Sequence, residues 1–319
     1  MGLRNYSTRP EDRRDDLDRM RHILVALDAS RHSQAALEAA VNLAKSMDAE
    51  LHGLFVEDIN WFNISKLPML SEVSDLTGTL RPLQSDWVER QVRILAERAR
   101  QLLQQQATLN QLPYQFETVR GEVAEQVLKA SEHADLVTIG RTGQSLEKTK
   151  ELGHTARAIL RKSQKPVLIL NEGMHLGQHV MALYDGTAAS QNALQMAQNV
   201  ADRRKSNLVV LVPLGAWKST HGEPVDPIQP TVEEQQDALG KLRNEIRGQI
   251  ASDFTNWNID IISQSSPDAH TLGRIIRMHG GGLFVLDFNP ALSSDRRLQQ
   301  LLDEIPCPLL LTRTKEAKQ

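Results

Sequence analysis

The sequence predicts an α/β protein made of two tandem domains, each an open five-stranded parallel sheet flanked by helices. Three observations predict this fold. A length of 319 residues suits two hydrophobic cores better than one. Residues 179–213 repeat the pattern of residues 22–56 without a gap. Short apolar runs alternate with helical patterns along both halves, which is typical of parallel strands joined by crossover helices.

The repeat opens in each half with an apolar run that ends in an aspartate, Asp28 in the first copy and Asp185 in the second. Small turn residues follow, and apolar or small side chains then recur about every 3.6 residues, as on one face of a helix. The paired positions are Ala36, Leu37, Ala40 and Ala44 in the first copy and Ala193, Leu194, Ala197 and Ala201 in the second. A second apolar run completes a strand–helix–strand unit, which normally forms a right-handed parallel crossover.

The later elements of both copies continue the alternation of strands and helices. In the first copy we expect helices over 86–110, 122–133 and 155–163, and strands YQFETVRG, ADLVTIG and KPVLIL. The second copy repeats the last four elements as TLGRIIRMHG, GGLFVLDF, RRLQQLLDEI and CPLLLT.

Two connections depart from the alternation. Residues 57–85 interrupt the first copy after its second strand, and we expect them to pack locally or to serve as a lid or partner surface. The corresponding stretch of the second copy, PLGAWKSTHGEPVDPIQP, is predicted to be an irregular loop.

The domain boundaries follow from composition. We predict a charged N-terminal arm over residues 1–20, a first domain over 21–172 and a second domain over 178–319, joined by a short polar junction.

Composition excludes several classes of protein. With 40% hydrophobic and 24% charged residues and no uncharged apolar run near 18 residues, no membrane span is expected. The first twenty residues lack an apolar leader, and the lone Cys307 is read as a small buried side chain, so a cytoplasmic location is predicted. A net charge of −3 gives no general affinity for nucleic acid. The histidines lack metal-ligand spacing, and no nucleophile-elbow sequence indicates a hydrolase.

A glycine-bearing loop follows the strand ADLVTIG, with Gly140, Gly143 and Gly153 at fixed spacing. A loop that leaves the carboxyl end of a parallel strand and enters a helix can aim backbone N–H groups at a phosphate. This edge of an open α/β sheet is where ligands bind. The alternative is an ordinary glycine-rich turn, with Gly140 as a tight strand exit and Gly153 as a helix start.

The stretches HILVALDAS, VRGEVAEQVLKASEHADLVTIG and GRTGQSLEKTKELGHTARAILRKSQKPVLIL resemble the universal stress protein family in its tandem two-domain bacterial form. The resemblance implies a fold like that of the adenine-nucleotide α-hydrolases and ATP binding at the glycine loop. In the family pattern two glycines are separated by two residues, a third follows after nine more, and Ser or Thr comes next. Gly140, Gly143 and Gly153 keep this spacing, but His154 stands at the hydroxyl position and Thr155 comes one later.

The resemblance also implies roles for residues around the loop. It places Asp28 beside the nucleotide and Val56 near the base or ribose, although Asp28 could instead cap the following helix. His154 either donates to a phosphate or blocks the usual contact, which leaves Thr155 as the nearest hydroxyl. Arg141 either contacts phosphate oxygens or remains solvated.

The second copy departs from this loop pattern. Asp287 stands where Gly140 stands in the first copy, and the connection that follows lacks all three glycines. Gly280, Gly281 and Gly282 precede the strand and therefore belong to the opposite edge of the sheet. We interpret the second domain as degenerate for ATP.

The sequence therefore predicts a stress-response or regulatory protein that binds ATP or a related adenine nucleotide in its first domain, with Mg²⁺ as an optional companion. Catalysis is not required, and at most slow ATP hydrolysis is expected, since Asp28 is the one candidate base. The alternatives are a nucleotide-independent module for a protein or small apolar ligand, and an enzyme of the wider adenine-nucleotide α/β group. The family resemblance also implies that the terminal strands KPVLIL and CPLLLT pair, making the chain its own pseudo-dimer, with a homodimer as a further assembly and an unknown protein partner.

Overall fold

A computed structural model describes residues 20–65, 71–73, 80–82, 85–143, 152–220, 232–262, 264, 266–288 and 294–314. Most of the predicted N-terminal arm therefore lies outside the described residues. The chain divides into two compact units, one of His22–His175 and one that includes the described residues from Leu176 onward. Within the described part of the chain, no helix is long and apolar enough to cross a membrane.

The first unit is an α/β domain whose main sheet has the order β7-β6-β1-β2-β5, with all neighbouring strands parallel. Strands β3 and β4 form a separate antiparallel pair. In chain order the elements are β1 (His22–Leu27), α1 (Arg31–Met47), β2 (Glu50–Asp58), α2 (Ile59–Ser65), β3 (Ser71–Val73), β4 (Leu80–Pro82), α3 (Ser85–Leu109), β5 (Tyr114–Gly121), α4 (Val123–Ser131), β6 (Leu136–Gly140), α5 (His154–Lys162) and β7 (Val167–Leu170).

Strand β1 is the centre of this sheet and pairs with β2 on one side and β6 on the other. Its residues Ile23, Leu24 and Val25 are fully buried, because both faces of a parallel sheet are covered and each strand is apolar throughout. The strand order reverses between β1 and β6. Crossover connections leave to opposite sides at such a point, which opens a crevice at the carboxyl ends of the strands.

The second unit repeats this topology, with sheet order β10-β9-β8-β11-β12 and parallel neighbours throughout. Its elements are β8 (His179–Leu183), α6 (Ala188–Arg204), β9 (Asn207–Pro213), α7 (Leu214–Thr220), α8 (Val232–Gln249), β10 (Trp257–Ile262), α9 (Ala269–Met278), β11 (Leu283–Asp287), α10 (Asp295–Glu304) and β12 (Leu309–Thr312).

The predicted α/β fold with parallel strands is confirmed. One local prediction is wrong: the first part of the stretch expected to be an irregular loop forms helix α7. The reason is that Trp217 in this segment is buried and its indole N–H donates to Glu245 of α8, so tertiary packing outweighs the glycine and proline content. The insert 57–85 contains α2 and the β3–β4 pair, and its remaining residues lie outside the described structure.

Candidate functional site

A cavity of about 750 Å³ opens in the first unit at the carboxyl ends of β1, β2 and β6. The cavity thus lies at the crevice where the strand order of the sheet reverses. Its walls come from the ends of these strands, from the loop after β6 and from helices α2 to α5. A volume of this size is in the range of small-molecule and cofactor sites.

Seven of the eight residues predicted to form the site line this cavity: Asp28, Val56, Gly140, Gly143, Gly153, His154 and Thr155. The eighth, Arg141, is not among the lining residues, and it is only 5% exposed. Its backbone ties the loop together instead: its N–H donates to the carbonyl of Leu170 and its carbonyl accepts from Gly153, at 2.8 and 3.0 Å.

Asp28 lies at the exit of β1 and is held by the turn that leads into α1. One carboxylate oxygen accepts the backbone N–H of Ser30 at 2.9 Å. The N-cap of α1 is Ser30, whose hydroxyl accepts the N–H of Ser33 at 3.1 Å, so Asp28 does not have the capping role considered above. The other carboxylate oxygen, Oδ2, lies 2.9 Å from the place of a Cβ on Gly143. A side chain at position 143 would therefore displace this carboxylate oxygen.

Gly140 has a packing role as well as a place in the cavity wall. A Cβ on this residue would lie 2.8 Å from the Cβ of His32 and 2.9 Å from its backbone carbonyl carbon. A side chain at position 140 would therefore force α1 away from the sheet.

The Nδ1 atom of His32 accepts the backbone N–H of Glu172 at 3.0 Å. The pKa of His32 is lowered, because the effect of burial is larger than the opposite effect of the Glu172 and Asp28 carboxylates.

Helix α5 begins at the cavity and presents its amino end there. Gly153 is the N-cap and offers no side-chain hydrogen bond, and no acidic residue lies in the first turn. The first N–H groups of a helix have no partner within the helix, and together with the helix dipole they favour an anion. His154, Thr155 and Arg157 from the start of this helix all line the cavity. This end of the site suits a phosphate.

Sequence reasoning missed the opposite, mostly apolar side of the cavity. It is formed by Trp61 of α2 and by one face of α3, together with two valines of α4. The residues concerned are Trp61, Trp87, Val88, Gln91, Val92, Leu95, Val123 and Val127. The spacing of Val88, Val92 and Leu95 is a helical signal for a buried face, but it does not distinguish a ligand from a protein core as the partner of that face.

The second unit has two acidic groups at the edge that corresponds to the glycine loop of the first unit. Asp287, at the end of β11, is buried and accepts hydrogen bonds from the hydroxyls of Thr312 and Thr314, each at 3.0 Å. Asp295 lies in the first turn of α10, the counterpart of α5. Both carboxylates oppose the binding of phosphate at this edge.

The second unit also has large buried side chains near positions that correspond to the cavity wall of the first unit. Tyr184, at the position of the cavity residue Leu27, is fully buried and donates its hydroxyl to Glu245. Trp217 is 2% exposed and donates its indole N–H to the same carboxylate at 2.8 Å. Burial, followed by the hydrogen bond to Glu245, raises the pKa of Tyr184. These three side chains form a hydrogen-bonded cluster inside the second unit.

Comparison with known proteins finds similarity to universal stress proteins. Residues 20–171 match the Universal stress protein family. A universal stress protein of Mycolicibacterium smegmatis is 28% identical over 221 residues, which cover 67% of this chain and 69% of that protein. Another, of Methanocaldococcus jannaschii, is 25% identical over 155 residues, which cover 47% and 81%. The solved structure of a universal stress protein from Archaeoglobus fulgidus superposes with a TM-score of 0.66 and 16% identity, covering 94% of this chain and 99% of its own. That structural likeness shows the fold alone.

Proposed function

This chain belongs to the universal stress protein family through its first domain, and from that premise we propose that this domain binds ATP or a related adenine nucleotide in the cavity at the ends of β1, β2 and β6. The observation that carries the proposal is the joint presence in one cavity wall of Gly140, Gly143, Gly153 and the uncapped amino end of α5. The first turn of α5 offers backbone N–H donors and a helix dipole to a phosphate, and the glycines leave room for its approach.

The remaining lining residues suit the other parts of a nucleotide. Val56 at the end of β2 offers an apolar contact for the base or ribose. Asp28, beside Gly143, would hold a Mg²⁺ ion that accompanies the phosphates, since Mg²⁺ is usually bound by one or two carboxylates and phosphate oxygens. Arg157 and His154 add basic side chains at the same end.

The proposed role is regulatory and cytoplasmic. A bound nucleotide favours those conformations of the elements around the cavity that bind it best, and a protein partner reads the change. Catalysis is not needed for such a role, and any hydrolysis of ATP is expected to be slow.

The test has two steps with full-length protein. Mass spectrometry identifies any small molecule released from purified protein, and calorimetry then measures ATP binding to wild type and to the Gly143→Asp/Gly153→Asp variant. We expect the variant to lose affinity at least tenfold, because it adds two carboxylates at an anion site and their charge repels a phosphate; about 1.4 kcal/mol of repulsion suffices.

A matched control introduces a carboxylate of the same type elsewhere. Gly240 lies on α8 in the second unit, and a Cβ there meets nothing within 4 Å. Gly240→Asp should bind ATP like wild type. If the double variant also binds ATP like wild type, the assignment of the loop is wrong.

A second candidate function is the binding of a small apolar ligand without phosphate. The apolar wall formed by α3, with Trp61 and Trp87, favours it. Recovery of such a molecule in the mass spectrum, together with no binding of ATP, would establish this alternative.

A further inference from the structure

Two tryptophans line the cavity and remain strongly exposed. Trp61 of α2 is 48% exposed and Trp87 of α3 is 40% exposed. A large aromatic side chain gains free energy when it is removed from water, so two half-exposed indoles in one cavity wall offer contact area that a ligand can cover. We call Trp61 and Trp87 the tryptophan rim.

The rim is carried by elements that are fixed to the domain. Phe62, next to Trp61, is buried, and the guanidinium of Arg120 lies 4.0 Å from the centre of its ring. Arg120 also donates to Glu57 of β2 at 2.8 Å. Helix α3 is anchored by the buried Val88, next to Trp87. Packed backbone therefore holds both indoles at the cavity. Less conformational freedom is lost when they contact a ligand, so the entropic cost of binding is lower.

The second unit has a tryptophan in the corresponding helix, and that side chain is already engaged. Trp217 lies in α7, the short helix that follows the second strand of its sheet, as α2 does in the first unit. It is 2% exposed and hydrogen-bonded to Glu245. The first unit has a tryptophan in the corresponding helix but leaves it facing the open cavity.

The rim and the phosphate end stand on opposite sides of β1. Helix α2 follows β2, whereas the glycine loop and α5 follow β6, and β1 lies between these two strands. Neighbouring strands are about 4.8 Å apart, so β2 and β6, which lead to the two ends of the site, lie about 10 Å apart. An extended nucleotide bridges such a distance between its phosphates and its base.

We propose that the tryptophan rim stacks on the aromatic base of the nucleotide whose phosphates bind at the glycine loop. The inference rests on the proposed function and adds to it the part of the site that recognises the base. Stacking of a base on an aromatic side chain depends on the π-face and contributes substantially to affinity. The rim then makes the site selective for ligands with a base over phosphate alone.

The test is ATP binding to full-length wild type and to Trp61→Ala, Trp87→Ala and Trp61→Phe. Each alanine variant should bind ATP about 5- to 20-fold more weakly, in the range known for the removal of one base-stacking side chain. Trp61→Phe should stay within about twofold of wild type, because it keeps an aromatic face. ATP should also quench the tryptophan emission of wild type, and the quenching should shrink in each alanine variant.

The control is Ile94→Ala, at a position of α3 that is 59% exposed and does not line the cavity. It should bind ATP like wild type. If wild type binds ATP but both alanine variants bind it equally well and the quenching is unchanged, the rim has no role and the proposed function stands. If wild type binds no ATP, the proposed function falls and the rim assignment falls with it. Equal thermal unfolding temperatures for all variants separate loss of contact from loss of fold.

Discussion

At the scale of single residues, the turn between the first strand and the first helix differs between the two copies. Ala29 has a φ of 61° and follows Asp28, whereas the corresponding Gly186 has a φ of 83° and follows Asp185. In both copies the aspartate accepts the N–H two residues on, from Ser30 or Thr187. The turn therefore demands a left-handed residue, and only the second copy has the residue type that adopts it without strain.

This difference predicts opposite effects of exchanging the two residues. Ala29→Gly should leave the free energy of unfolding unchanged or raise it by up to about 1 kcal/mol, because strain is relieved while the unfolded chain gains entropy. Gly186→Ala should lower it by about 1 kcal/mol. Urea denaturation of the two variants provides the measurement. A loss of stability in Ala29→Gly would show that the alanine side chain contributes packing that outweighs its backbone strain.

At the scale of elements, helices α7 and α8 are joined by the cluster of Tyr184, Trp217 and Glu245. Two buried donors share one carboxylate, and each left without an acceptor costs about 1–3 kcal/mol. Glu245→Ala should therefore destabilise the second unit by about 2–4 kcal/mol.

Urea denaturation followed by tryptophan fluorescence, in a background in which Trp61 and Trp87 of the first unit are replaced by phenylalanine, would measure this loss. Arg243→Ala, an exposed position on the same helix, serves as the control and should change stability by less than about 0.5 kcal/mol. A cost of Glu245→Ala no greater than that of the control would mean that water replaces the lost acceptor.

The elements also show what a sequence can and cannot predict. Strand β5 has the predicted bounds, Tyr114–Gly121, because its pattern and flanking turn residues are local. Helix α7 was missed because its anchor, Glu245, is 28 residues away along the chain. Glycine spacing led to the part of the cavity wall formed by the loop and the start of α5, yet it could not show that Arg141 is buried, since a loop position does not fix the direction of its side chain. The tryptophan rim depends on packing between α2 and α3, which no local pattern encodes.

At the scale of the whole molecule, the division into two units predicts that a ligand stabilises them unequally. A nucleotide at one hundred times its Kd should stabilise the first unit by about 2.7 kcal/mol through mass action. Amide hydrogen exchange should therefore slow in β1, α1 and β6 when ATP is added, with little change in β8 to β12.

The single cysteine gives an independent probe of the second unit. Cys307 is 4% exposed, and burial raises its pKa to about 12, so the reactive thiolate is scarce until the surrounding structure opens. Its labelling by a thiol reagent in mild urea should be the same with and without ATP. If ATP slows the labelling of Cys307 as much as exchange in the first unit, the two units open together.

Asp287, the carboxylate that replaces a glycine at the end of β11, bears on how binding depends on the concentration of the ligand. If the proposed site of the first unit is the one nucleotide site of the chain, its occupancy should rise hyperbolically with nucleotide concentration, and the response of one chain should be graded. A sharp threshold would have to come from chains that associate, because a lone hyperbolic site has no second site with which to cooperate.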